Sequence, residues 1–120
     1  MIDRALSEGK TVLLPRLEGM EMRLIRYTNE TATSVNAYGI VEPIGENDPI
    51  SPDLVILPLV AFDRDKHRLG RGKGYYDRFL SHYVGQTVGI AFSVQEVDCV
   101  PTERFDVSLQ TIITEKECIR

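Results

Sequence analysis

Hydrophobic positions fall in short bursts separated by charged or turn-forming stretches. Residues 2–8 carry Ile2, Ala5 and Leu6 at helical spacing on one face, and Gly9 is placed to end that helix. Residues 11–14 predict a short buried strand stopped by Pro15. Met20, Met22, Leu24 and Ile25, with charges between them, predict a second strand. Residues 29–36 are polar and Thr-rich and read as a loop, and residues 43–52, rich in Pro and Gly, read as a long surface loop. Residues 54–57 follow as a near-continuous aliphatic run, the pattern of a strand buried on both faces of a parallel sheet, closed by Pro58. Within residues 75–83, Tyr76, Phe79, Leu80 and Tyr83 share one side of a helix. Residues 87–92, with the small Gly89 and Ala91, and residues 111–114 are further strands. Strands alternating with helical stretches predict an α/β fold with a central, mostly parallel sheet.

The chain has 120 residues, which fits a single α/β domain over 1–120. Its 42% hydrophobic content supports a core and excludes whole-chain disorder. The apolar stretch at residues 54–61 contains a proline and is far below the ~20 residues a bilayer requires. Cys99 and Cys118, with only His67 and His82 to assist, match no zinc or disulfide pattern. No signal peptide is visible, so the expected location is cytoplasmic, with reduced thiols. The abrupt start within a helix suggests that a further segment precedes it.

Charge changes the picture. Fourteen basic against eighteen acidic residues give −4, yet residues 63–78 hold six basic residues and three acids and are locally +3. Inside this island stands Gly70-Arg71-Gly72-Lys73-Gly74. Alternate glycines permit unusual backbone angles and let peptide N–H groups approach a ligand. The segment lies after a strand and before a helix start, a setting that suits phosphate. It is neither a Walker loop, since Lys73 is followed by Gly74, nor a dinucleotide fingerprint, since residues 59–69 separate Pro58 from Gly70. A solvated turn would share the same local composition. Asp77 in the first helical turn suits the macrodipole alone, or Mg2+ held against bound phosphate. Tyr75 is placed to stack on a flat ring, whereas Tyr76 belongs to the core by spacing. A nucleic-acid module is disfavoured by the net acidity.

Phe62-Asp63 followed by Arg68-Leu69-Gly70-Arg71-Gly72-Lys73-Gly74-Tyr75-Tyr76-Asp77 closely resembles the signature of the 5-formyltetrahydrofolate cyclo-ligase family, also called 5,10-methenyltetrahydrofolate synthetases. Gly9-Lys10, Met20 and Met22, Ile40-Val41-Glu42-Pro43, Val100-Pro101 and Asp106 are similar to family features elsewhere in the chain. The resemblance covers essentially all of this sequence, as the C-terminal two-thirds of the family, whose members usually carry a further N-terminal segment.

The resemblance implies a three-layer Rossmann-like domain akin to ribose-phosphate isomerases and CoA transferases. It implies ATP-dependent cyclisation of 5-formyltetrahydrofolate to 5,10-methenyltetrahydrofolate, with ADP and phosphate released. The alternative is a non-catalytic remnant that binds nucleotide or folate. Carried across by motif, Arg68, Leu69, Gly70, Arg71, Gly72, Lys73, Gly74, Tyr75 and Tyr76 would line ATP. Arg71, Gly72, Lys73, Gly74 and Tyr75 would also face the formylated pterin, with Tyr38 and Met22, although core packing would equally explain Met22. Lys73, with Arg71, would stabilise the transferring phosphoryl group. Asp77 and Asp106 would bind Mg2+. The implied partners are ATP and the folate, with no nucleic acid or membrane. Self-association is expected if N-terminal helices are absent and apolar sheet surface stays uncovered.

Overall fold

The computed structural model describes all residues except 20, 38, 71–73 and 103–105. Its contacts cluster into two units, Met1–Ser51 and Pro52–Arg120.

The first unit opens with helix α1, Ile2–Ser7. It closes through Gly9 N–H to Leu6 O and Lys10 N–H to Ala5 O, the paired bonds that terminate a helix at a glycine. Strands β1 (Val12–Glu18) and β2 (Glu21–Tyr27) then form an antiparallel hairpin. Contrary to the expected stop, β1 runs through Pro15. The reason lies in the ladder. Pro15 faces Leu24, whose own N–H goes outward to Asn47 Oδ1 at 3.0 Å and whose carbonyl accepts Asp48 N–H. Pro15 therefore occupies a pair that exchanges no backbone bonds, and its missing N–H costs the ladder nothing.

A second correction falls on residues 29–36. Strand β3 (Thr33–Val35) lies within them and pairs antiparallel with β4 (Val41–Pro43). Asn36 closes this hairpin by accepting Ile40 N–H on its side chain while donating its own N–H to Ile40 O. Residues 44–53 carry no regular element, matching the predicted loop. Glu42 is buried and accepts Leu17 N–H at 2.7 Å, and Arg16 donates to Ser34 Oγ and Pro43 O, so two side chains stitch the two hairpins together.

The second unit is built on a four-stranded sheet. In chain order it contains β5 (Leu54–Pro58), β6 (Ala61–Phe62), β7 (Arg68–Leu69), helix α2 (Tyr75–Leu80), β8 (Gln86–Ile90), a 3-10 turn at Ser93–Gln95, β9 (Thr111–Ile113) and β10 (Cys118–Ile119). The sheet order is β10-β9-β8-β5, with β5, β8 and β9 parallel and β10 antiparallel at its edge. The protein is thus mixed α/β with a mostly parallel sheet, as the sequence predicts. Strands β6 and β7 make a separate antiparallel hairpin in the crossover from β5 to β8. The helical-spacing prediction holds in its packing: Leu80 is buried in the core with Leu57, Phe62, Leu109, Ile112 and Ile119, and Tyr76, Phe79 and Tyr83 pack against that cluster. The helix itself is shorter than the pattern, ending at Leu80.

One expectation about the sheet fails. The strand at residues 54–57 is buried on one face only. Leu57 is fully buried, but Leu54 and Ile56 are 45% and 42% exposed, and Ile90 and Ile113 of the neighbouring strands are similarly open at 43% and 44%. Alternation along a strand sends these residues to the side opposite the core cluster. Their aliphatic character signals burial that the described residues do not supply. Among the described residues, no helix is long and apolar enough to cross a membrane.

Candidate functional site at the carboxyl ends of the parallel strands

Open parallel sheets bind ligands beyond the carboxyl ends of their strands. There, the chain leaving β5 at Pro58 turns into the β6–β7 hairpin and then into the glycine-basic segment before α2. The hairpin brings Arg68 back beside the strand end. Its Nε donates to Pro58 O at 2.9 Å, and its guanidinium carbon lies 4.7 Å from the centre of the Tyr76 ring. Gly70 makes room for this placement, because a Cβ there would come within 2.9 Å of Arg68 Nη2. Burial pushes the Arg68 guanidinium below its ordinary value, while Asp77 and Tyr76 pull it back toward the charged form. The result is a half-buried, oriented cation (one N–H anchored, one face on an aromatic ring), preorganised for a polyanion.

The helix entry is shaped by Gly74, whose φ of 71° puts it in the left-handed region at the N-cap of α2. Arg78, one turn on, lies 5.1 Å over the ring of Tyr75. Tyr75 thus already stacks on a cation through one face, where the sequence reading had it stacking on ligand. With only six residues, α2 brings little dipole, so side chains must supply most of the field here.

Asp77 and Asp106 are brought into one neighbourhood. Asp77 Oδ1 accepts the N–H of Val107 at 3.3 Å, which sets the residue next to Asp106 against the Asp77 carboxylate. Asp77 is half-buried and Asp106 exposed. Aspartates are hard oxygen donors of the kind Mg2+ takes, commonly one or two carboxylates with the rest of its shell from water and phosphate.

Of the other anticipated residues, Leu69 is in β7 and Tyr76 lies beneath Arg68, both in this unit. Met22 is half-buried on β2 of the first unit. Arg71, Gly72, Lys73 and Tyr38 lie outside the described residues, as does Met20.

Sequence reasoning passed over two features. The first is Asp63, 2% exposed, whose oxygens take four N–H donors. Oδ1 accepts from Asp65 N–H (3.0 Å) and His67 N–H (3.1 Å); Oδ2 contacts His67 Nδ1 (2.9 Å) and accepts from Val100 N–H (3.0 Å). Burial raises its pKa, but the bonds from Val100 and His67 and the His67 charge outweigh this and hold it below 3.8. Asp63, Asp65 and His67 have ligand atoms within 4.8 Å of one another, but the Asp63 oxygens are already committed to these donors. Its place directly after the apolar pair Ala61-Phe62 was the signal available in the sequence. The second feature is a depression of about 330 Å3 at the ends of β8 and β9, floored by Ile90, Phe92 and Ile113. Gln95 ties its rim to the crossover by donating to Leu59 O and Val60 O. No sequence motif announces it.

Known proteins share this fold. An Aquifex aeolicus 5,10-methenyltetrahydrofolate synthetase solved by NMR superposes with a TM-score of 0.82 at 38% identity, over 99% of this chain and 62% of that one. The 5-formyltetrahydrofolate cyclo-ligase of Haemophilus influenzae is 36% identical over 88% of this chain and 62% of its own length. That of Escherichia coli K12 is 35% identical over 95% and 68%. The chain therefore spans about two thirds of the length of these relatives. The family model described as the 5-formyltetrahydrofolate cyclo-ligase family matches residues 1–115, and the chain belongs to that family of ligases.

Proposed function

We propose that this chain carries the ATP-dependent cyclisation of 5-formyltetrahydrofolate to 5,10-methenyltetrahydrofolate, with release of ADP and phosphate, on a three-layer Rossmann-like fold. The supporting observation is Arg68, oriented by Pro58 O, Tyr76 and Gly70 at the carboxyl ends of the parallel strands, with Asp77 beside it. The names of the matched relatives favour catalysis over a role in binding alone.

The chemistry needs a leaving group. The formyl oxygen on N5 attacks the γ-phosphorus and ADP departs. N10 then attacks the activated formyl carbon, loses its proton, and the C–O bond breaks to release phosphate. The protein must align oxygen with phosphorus and neutralise the transferring group. Arg68 holds phosphate charge from a fixed position. Lys73 and Arg71 stabilise the transferring phosphoryl, and residues from Leu69 to Tyr76 line the nucleotide. Gly72, Gly74 and Tyr75 would face the pterin. Asp77 and Asp106 hold Mg2+, which supplies charge neutralisation on the phosphate oxygens.

A spectrophotometric assay for the methenyl product, run beside an ATP-binding titration, tests this. Product formation supports the ligase; binding without product would leave only a nucleotide- or folate-binding protein. Lys73→Met is expected to lower turnover by roughly a hundred- to a thousandfold. A near-normal rate would remove Lys73 from the mechanism.

A further inference from the structure

We propose that Asp63 is the positioning residue of the phosphate site: its buried carboxylate pins the hairpin that delivers Arg68 to the segment that delivers Asp106, and so sets the spacing between cation and metal carboxylates. This inference rests on the function proposed above.

A carboxylate this deeply buried is retained only when its charge is fully answered. Here four N–H donors answer it, and they come from two separate stretches of chain. Three belong to the turn between β6 and β7, from Asp65 and His67, and the residue after His67 is Arg68. The fourth, from Val100, belongs to the segment leading toward Asp106. That segment is fastened again where Leu109 N–H meets Lys66 O at 2.9 Å, and where Val107 N–H meets Asp77. A closed circuit results. Asp63 holds the turn; the turn holds Arg68; Arg68 lies on Tyr76, beside Asp77 in α2; Asp77 holds Val107; and the chain leads back to Val100 and Asp63.

Core packing alone does not specify this circuit. Phe62 and Leu109 anchor the same stretches in the apolar cluster, but such contacts tolerate small shifts that four directed bonds to one carboxylate do not. Asn cannot substitute cleanly. Its NH2 is a donor where Oδ1 or Oδ2 must accept two. Asp63 touches no reacting atom in this scheme; it acts through Arg68 and Asp106.

The test compares wild type with Asp63→Asn and, as a control for lost stability, Ile119→Val, which lies in the same apolar cluster as Leu109 but makes none of the circuit's bonds. Amide hydrogen exchange at Val107 and Leu109, neither of which bonds Asp63, reads the pin without nucleotide. A titration with MgATP reads the site. In Asp63→Asn, exchange at both amides is expected to quicken by about tenfold relative to Ile112, and the MgATP dissociation constant to rise roughly ten- to a hundredfold. Ile119→Val should change neither selectively. Should Asp63→Asn fail to fold, His67→Ala, which removes only the ring donor, carries the same test with smaller shifts in both readouts. Unchanged exchange and affinity in a folded variant would overturn the proposal, as would quickened exchange spread evenly over the core. A wild-type chain that does not bind MgATP would overturn the proposed function, and the exchange result alone would then decide the pin.

Discussion

The guanidinium of Arg68 rests on the ring of Tyr76 while its Nε is held by the carbonyl of Pro58, the last residue of β5. Charge, stacking and a backbone anchor meet in one side chain. Lysine would keep the charge and lose both the planar stack and the directed bond. Arg68→Lys is therefore expected to weaken MgATP binding by about tenfold, equivalent to about 1.4 kcal/mol, with a smaller effect on the melting temperature. Calorimetric titration beside thermal unfolding checks it, and equal affinity would place Arg68 outside the nucleotide site.

Gly70 offers a sharper separation of folding from binding. An added Cβ would meet only the far end of the Arg68 side chain, which can swing aside. Gly70→Ala should leave the melting temperature close to wild type yet reduce MgATP affinity several-fold, because the displaced guanidinium loses its seat. A loss of stability with intact binding would show that the close approach serves the fold instead.

Asp77→Asn retains an oxygen for Val107 N–H but removes a negative charge from the pair with Asp106. The Mg2+ concentration for half-maximal activity is expected to rise on the order of tenfold, with turnover partly recovered at saturating Mg2+. An unchanged Mg2+ titration would count against a metal role for this residue.

Acid stability follows from Asp63. Its carboxyl titrates below its ordinary value of 3.8 in the folded chain, because the N–H donors and His67 outweigh burial. The stabilisation is fully present above that ordinary value and is lost as pH falls through the lower folded value. Denaturant midpoints measured from pH 5 down to pH 2 should fall more steeply for wild type than for Asp63→Asn. Parallel curves would show that Asp63 is not differentially bonded in the folded state.

Much of this was legible in the residues themselves. Period and aliphatic runs located the parallel strands, and Tyr76, Phe79 and Leu80 announced the helix face that meets the core. What failed to show depended on partners distant in sequence. Pro15 reads as a stop until Leu24 turns its own backbone outward. Residues 33–35 sit in a polar, Thr-rich stretch and gain strand pairing only from residues 41–43. Leu54 and Ile56 have the composition of a doubly buried strand, whereas burial is set by whatever lies against them. The glycine-basic segment was conspicuous because its local chemistry is unusual. Asp63 was not, because an aspartate in a charged stretch looks solvated until the fold encloses it.

The crossover between β5 and β8 carries nearly every residue proposed to hold phosphate. Leu54 must find Gln86 before that connection is closed, and such non-local pairing is slow compared with forming a hairpin such as β1–β2. The proposed nucleotide site would thus be complete only once the parallel pair has closed. Ligand would then select chains that have completed this step and draw the population toward them by mass action.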